Sequence, residues 1–101
     1  MKLKEGSVLY VRIDYKIGEQ VESEQDAMDC MEYLEKIAKE RYLVAGLFGD
    51  MEKEEMNGAM MLFEASSLEE AKEITEKDPI IERGFYRYEL SQWNVMLVSS
   101  K

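Results

Sequence analysis

The segment SVLYVRIDY, residues 7–15, alternates between two faces as a β-strand does. One face is apolar and consists of Leu9, Val11, Ile13 and Tyr15. The opposite face mixes apolar and charged side chains, namely Val8, Tyr10, Arg12 and Asp14. A strand with one clearly apolar face is typical of a sheet that is covered on that side by a hydrophobic core.

An amphipathic helix is predicted to follow this strand, from about Glu24 to Arg41. Ser23 and Asp26 stand three residues apart, which is the spacing of a capping box at a helix start. Apolar side chains then recur at helical spacing, at Ala27, Met28, Met31, Leu34, Ile37 and Ala38. Cys30 lies one position from this apolar stripe, so we expect it at the edge of the buried surface.

Three more strand-like segments and a second helix complete the pattern. The strand-like segments are LVAGLFGD (43–50), AMMLFEA (59–65) and FYRYELSQWNVMLV (85–98). Either Ser66 or Ser67 can cap the second helix, because both precede a pair of glutamates at capping-box spacing. The apolar phase of the last segment shifts near Ser91-Gln92, which predicts a bulge or a bend in that strand.

The order of these elements is β-α-β-β-α-β, which predicts an α+β, ferredoxin-like fold. We expect a four-stranded antiparallel sheet with two helices on one face, in a single domain spanning residues 1–101 with its core at about 7–98. The uncovered face would then carry Val8, Tyr10 and one side of the third and fourth strands. Such a surface is too apolar to remain in contact with water, so we expect a homodimer that packs sheet against sheet.

Composition excludes several classes of function. The chain of 101 residues is 46% hydrophobic and 35% charged, with a net charge of −9, so we expect no binding to nucleic acid or to acidic membranes. It has no histidine, which rules out triads and metal centres built on imidazole, and we expect no cofactor and no metal ion. No apolar run is long enough to span a membrane, and no signal peptide is recognisable. One cysteine fits a reducing compartment, so a cytoplasmic location is predicted.

Asp78 and Cys30 each have a structural and a functional interpretation. Asp78 precedes Pro79, and together they are typical of the start of a short helix that ends at Gly84. The alternative makes Asp78 a buried catalytic carboxylate aimed into a pocket, with its pKa raised by burial. Cys30 is either a small apolar residue of the core or a nucleophile that would need a nearby cation.

Other side chains suggest a ligand pocket or a contact with a partner. An arginine beside tyrosines suits a carboxylate or phenolate ligand, and the candidates are Tyr10, Arg12, Tyr86 and Tyr88. The same residue types are also enriched at dimer interfaces, and both interpretations stay open. The connector after the second strand carries the acidic residues Glu52, Glu54 and Glu55, which predict a solvated tip or a contact with a partner.

The chain resembles the YCII-related family of small dimeric ferredoxin-like proteins over essentially its whole domain. The most specific part runs from Ala65 to Val95: Ser-Leu-Glu-Glu-Ala, a helix, Asp78-Pro79, a glycine, a strand, and then Trp-Asn-Val. The resemblance covers about residues 8–98. It implies a polar pair at an active site, in which the aspartate is Asp78 and the family's histidine position falls on Cys30.

Three functions are compatible with these residues. The first is binding of a small polar or aromatic molecule in a pocket near Asp78. The second, which the resemblance implies, is a lyase, isomerase or dehalogenase acting on a small aromatic or lactone, with Asp78 as acid or base. The third is a non-catalytic scaffold or regulatory dimer. Because Cys30 replaces the histidine, the first and third are favoured over the second.

Overall fold

The computed structural model of the protein describes residues 5–54 and 57–100, and it confirms the predicted α+β architecture. The strands are β1 Val8–Lys16, β2 Leu43–Leu47, β3 Ala59–Phe63 and β4 Tyr86–Asn94. The helices are α1 Glu24–Glu40, α2 Leu68–Glu76 and the short α3 Pro79–Glu82, and a 3₁₀ turn spans Met51–Lys53. Glu55, which belongs to the predicted acidic connector, lies outside the described residues.

The four strands form one antiparallel sheet in the order β2-β3-β1-β4. β1 is therefore central, and its side chains have neighbours on both sides. Arg12 stands opposite Met61 of β3 and Leu90 of β4. A side chain at this position has neighbours on both flanking strands in addition to the helices that cover the sheet. The middle of β1 is therefore the best-buried part of the sheet.

The helices cover the face of β1 that was expected to be uncovered. Tyr10 packs in the core with Phe63, Met61 and Ala71 of α2, and Arg12 and Asp14 are fully buried. On the apolar face Leu9 is fully buried, whereas Val11 and Ile13 are only half-buried. The expectation was wrong because charged residues normally point to water, whereas here the two charges on β1 neutralise each other and meet a third charge beneath the helices.

β4 contains no bulge, which corrects a second expectation. Its pairing with β1 is continuous, from Asn94 opposite Val8 to Tyr86 opposite Lys16. The change of apolar phase arises because the two ends of one regular strand are apolar on different faces. Tyr86 shares the face of the buried Arg12, and Trp93 lies on the opposite, open face.

The buried side of α1 also differs from the predicted stripe. Ser23 forms the predicted capping box with Asp26. Cys30 and Ile37 are the buried residues of the helix, whereas the predicted core residues Met28 and Met31 are 61% and 55% exposed. Tyr33 helps to fix this rotation of α1, since its hydroxyl donates a 2.6 Å hydrogen bond to the carbonyl oxygen of Ile74 on α2.

The segment after α2 brings Asp78 beneath the helices. Ser67 caps α2, and Asp78 caps α3 as predicted, its side chain accepting a hydrogen bond from the backbone N–H of Ile80. Pro79 is the first residue of α3, and Gly84, with φ of +81°, ends the turn in the left-handed conformation. Within the described ranges, no helix has the length and apolar content needed to cross a membrane.

Candidate functional site

A buried ion network lies where β1 meets the start of α3. Arg12 binds both oxygens of Asp14, with 2.8 Å from Nε to Oδ1 and 2.8 Å from Nη2 to Oδ2. Its third nitrogen, Nη1, lies 2.8 Å from Oδ2 of Asp78. All three side chains are at most 1% exposed. Two carboxylates therefore share one guanidinium out of contact with bulk water.

Cys30 extends this network from α1. Its Sγ lies 3.6 Å from Oδ2 of Asp78, a distance at which the thiol donates a weak hydrogen bond. The other oxygen of Asp78 accepts the hydrogen bond from the N–H of Ile80. Asp78 is therefore both the cap of α3, as predicted, and a member of the ion network, and its role as a catalytic carboxylate stays a prediction.

Exposed ion pairs hold α3 against α1 at this point. Nη1 of Arg83, the C-cap residue that follows α3, lies 2.7 Å from Oδ1 of Asp26 and 2.9 Å from Oδ2 of Asp29. Both aspartates belong to the first turns of α1. The ion pairs join the two helices whose residues Cys30 and Asp78 meet inside, and so they help to position that contact.

Burial and neighbouring charges shift the ionisation of the network. The Cys30 thiol has its pKa raised to about 12, first by burial and then by the charge of Asp78. Burial also raises the pKa of Asp14, against the opposing effect of Arg12, and the charge of Asp78 adds to the rise. Burial would lower the pKa of Arg12, but the hydrogen bonds and charges of the two aspartates outweigh it and raise that pKa. Cys30 is thus a neutral thiol at pH 7, which disfavours a thiolate nucleophile.

A cavity of about 580 Å³ lies beside the network, bounded by α1, β2 and β3. Its walls are mainly apolar, and those on the two strands include Leu43, Ala45, Leu47, Ala59 and Met61. α1 contributes Ala27, Met31, Leu34 and Ala38. Small-molecule sites in proteins commonly have this size and this apolar character.

The polar lining of the cavity comes from both sides of the fold. It consists of Asp14 on β1, Glu22 before α1, Cys30 and Glu35 on α1, and Tyr86 on β4. Tyr86 donates a 3.3 Å hydrogen bond to Glu22. Of the three charged residues of the ion network, Asp14 is among the lining residues, with its side chain 1% exposed, and Asp78 and Arg12 are not. Sequence reasoning did not propose Asp14 as a site residue. The available signal was its position two residues after Arg12, on the same face of β1.

The predicted site residues fall into two groups. The structure brings together Asp78, Cys30 and Arg12, and it places Tyr86 on the cavity wall. It does not bring Tyr10 or Tyr88 to the cavity. Tyr10 belongs to the core beside Phe63, and the hydroxyl of Tyr88 donates a 3.0 Å hydrogen bond to Glu76 on the protein surface. A strand alternates its side chains but does not show which positions along it a helix will cover.

Comparison with known proteins gives a family and a structural neighbour. The family model of the YCII-related domain matches residues 8–94. Among solved structures, 5-chloro-2-hydroxyhydroquinone dehydrochlorinase from Burkholderia phenoliruptrix AC1100, in complex with 2,5-dihydroxybenzoquinone, is similar with a TM-score of 0.60 and 19% sequence identity. The alignment covers 85% of this chain and 93% of the neighbour, and it supports the fold. No curated protein sequence gives a significant match. Since the family model spans nearly the whole domain, the chain belongs to the YCII-related domain family.

Proposed function

We propose that this protein binds a small, largely apolar molecule in the cavity between α1 and the sheet, with the polar end of the molecule at Asp14 and Cys30. The observation that carries this proposal is the juxtaposition of an apolar cavity of about 580 Å³ with a buried carboxylate in its wall. A polar group fixes orientation in such a site, and apolar walls supply most of the binding free energy.

The walls suit a flat, ring-shaped ligand. Several lining residues are alanines, at positions 27, 38, 45 and 59, and they leave room that larger side chains would fill. Met31 and Met61 line the same space, and methionine adapts its shape to different partners. The structural neighbour was solved with a small ring compound, 2,5-dihydroxybenzoquinone, which gives a precedent for the shape and size of such a ligand on this fold.

A steric plug tests the binding function. Ala45→Trp fills the cavity from β2, while Val44→Trp places the same side chain on the opposite, half-exposed face of the same strand. With 1-naphthylmethanol as the probe at millimolar concentration, we expect a rise in melting temperature for the wild type and for Val44→Trp. We expect no rise for Ala45→Trp. Equal shifts in both variants would place the probe elsewhere and contradict the proposal.

A second candidate function is proton transfer during an elimination reaction, as in a dehalogenase. It is favoured by Asp14, a buried carboxylate on the cavity wall whose pKa is raised by burial. In loss of HCl from the keto tautomer of a chlorinated hydroxyhydroquinone, Asp14 would accept the proton of a ring hydroxyl. The O–H bond electrons would form a carbonyl as the ring double bonds shift, and the C–Cl bond electrons would leave with chloride. Asp78 and Arg12 would orient Asp14 and take no direct part.

Chloride release tests this candidate. The probe is 5-chloro-2-hydroxyhydroquinone, the compound for which the neighbouring dehydrochlorinase is named. We expect release above the spontaneous rate with the wild type and at least about a hundredfold slower release with Asp14→Asn, the usual scale for a lost general base. Release that is unchanged in Asp14→Asn would exclude Asp14 as the base.

We propose in addition that the open face of the sheet forms a homodimer, and a cytoplasmic location remains a prediction of the sequence. The face carries Val11, Ile13, Leu62, Val44 and Trp93, which are half-buried or exposed. An apolar surface of this kind is typical of an interface. Sedimentation at micromolar concentration should give a dimer, and Ile13→Lys should give a monomer; a monomeric wild type would contradict this.

A further inference from the structure

We infer that the cavity selects a molecule whose polar end donates hydrogen bonds or carries positive charge, and that it excludes organic anions. This inference rests on the proposed binding function and adds the class of ligand. It differs from the expectation of a carboxylate or phenolate ligand beside Arg12, because the position of Arg12 changes what the cavity presents.

The charged groups on the cavity wall have one sign. Asp14, Glu22 and Glu35 are all lining residues, and none of the described residues that line the cavity is a lysine or an arginine. Arg12, the cation of the ion network, is not a lining residue. Its nitrogens are engaged by Asp14, Asp78 and the sulfur of Met61. An entering anion would therefore meet carboxylates without a cation to pair with.

Hydrogen-bonding capacity at the polar wall points the same way. Both oxygens of Asp14 already accept hydrogen bonds from Arg12 and its side chain is 1% exposed, so Asp14 acts on a bound molecule mainly through its charge. Glu22 and Glu35 are the more exposed carboxylates of the wall, and their oxygens can accept hydrogen bonds from a ligand. The donors are already committed, since Cys30 donates to Asp78 and Tyr86 donates to Glu22. The capacity left on the polar wall is acceptor capacity, which a hydroxyl or an ammonium group satisfies and a carboxylate group does not.

The negative net charge of the whole chain acts in the same direction as the carboxylates of the cavity wall. The chain carries a net charge of −9, so long-range attraction brings cations, and not anions, toward the surface. Neutral donors are unaffected by this field. The two kinds of donor can therefore be separated by experiment, because only the cation should show an affinity that falls with ionic strength.

Three naphthalene derivatives of similar shape test the inference: 1-naphthylmethylamine, 1-naphthylmethanol and 1-naphthoate. The affinities are measured by calorimetry at pH 7 and low salt. We expect the amine and the alcohol to bind, and naphthoate to bind at least about tenfold more weakly than either. An amine that binds more tightly than the alcohol identifies charge as the selecting property, and equal affinities identify hydrogen-bond donation. Naphthoate binding as tightly as the other two would overturn the inference.

Variants separate the contribution of the wall from that of the fold. Asp14→Asn and Asp78→Asn each remove one carboxylate from the same guanidinium, but only Asp14 lines the cavity. Asp14→Asn should reduce the amine-to-naphthoate affinity ratio about tenfold, and Asp78→Asn should change it much less. The double variant Glu22→Gln, Glu35→Gln alters more exposed positions and should also reduce the ratio. Equal ratios in the wild type and all three variants would contradict selection by these groups.

Failure of the inference is distinguishable from failure of the binding function. If naphthoate binds best and Ala45→Trp abolishes its binding, the cavity binds ligands but does not select donors. If none of the three compounds binds, the binding function is wrong and the inference falls with it.

Discussion

The Cys30 thiol and the Asp78 carboxylate stand 3.6 Å apart, although 48 positions separate them in the chain. This contact joins the middle of α1 to the cap of α3. It places a weak hydrogen-bond donor where the YCII resemblance implies a histidine. A neutral thiol cannot hold a positive charge against the aspartate as an imidazolium would, so Arg12 alone supplies the balancing charge within this network.

Alkylation of Cys30 by iodoacetamide should be very slow in the native protein. With a pKa of about 12, about one thiol in ten thousand is ionised at pH 8. Asp78→Asn removes a neighbouring negative charge and should raise the rate about tenfold or more, because each unit of pKa changes the thiolate fraction tenfold. The rate is measured by mass spectrometry of intact protein, with urea-unfolded protein as the reference. A native rate equal to the unfolded rate would contradict a buried, charge-suppressed thiol.

The same thiol should make stability fall at alkaline pH. The folded pKa of Cys30 is raised above its ordinary value of 9.0, to about 12, so the protonated thiol favours the folded state. Its contribution is complete below pH 9 and is lost as the pH rises toward 12, by at most about 1.4 kcal/mol per pH unit. The free energy of unfolding is compared with that of Cys30→Ser, whose hydroxyl does not ionise in this range. Parallel curves for the two proteins would exclude the effect.

Arg12→Met should destabilise the fold strongly at neutral pH. The change leaves Asp14 and Asp78 buried without their cation, which typically costs about 3–5 kcal/mol. The loss should shrink as the pH falls, because burial raises the pKa of Asp14 above its ordinary value of 3.8 and its protonation then removes an unpaired charge. Arg87→Met is the control, since Arg87 is exposed and should contribute little. Urea unfolding at several pH values measures both, and a pH-independent loss would contradict a charge origin.

Affinity for 1-naphthylmethylamine should decrease in mildly acidic solution. Asp14 must be ionised to attract the ammonium group, and burial raises its pKa above the ordinary value of 3.8. Protonation therefore begins at a higher pH than for an exposed aspartate, while the amine stays charged throughout. Asp14→Asn should bind the amine weakly with little pH dependence. Calorimetric titrations measure both proteins, and an identical pH profile in the variant would assign the effect to another group.

Binding of the uncharged 1-naphthylmethanol gives a further check on the role of Asp14. Because 1-naphthylmethanol carries no charge, its affinity should change far less than that of the amine over the same pH range. A parallel decrease for both compounds would indicate partial unfolding of the cavity, which a melting curve at each pH would reveal.

The sequence by itself determined what short-range chemistry controls. Asp78-Pro79 and Gly84 specify the short α3, and Ser23 with Asp26 specifies the start of α1, because caps depend on residues within a few positions. Strand alternation in β1 likewise specifies which side chains share a face. The family resemblance implied that Asp78 and Cys30 share a site, and their side chains lie 3.6 Å apart, while their part in catalysis stays a prediction.

Only the tertiary structure decided which face of β1 is buried and which carboxylate meets the cavity. Polarity alone would leave Arg12 and Asp14 in water, but Asp78, distant in sequence, completes an ion network that permits their burial. The same network turns Asp78 inward behind Cys30 and leaves Asp14 on the cavity wall. These outcomes depend on contacts between distant parts of the chain, since the cost of burying a charge is set by partners that local periodicity does not reveal.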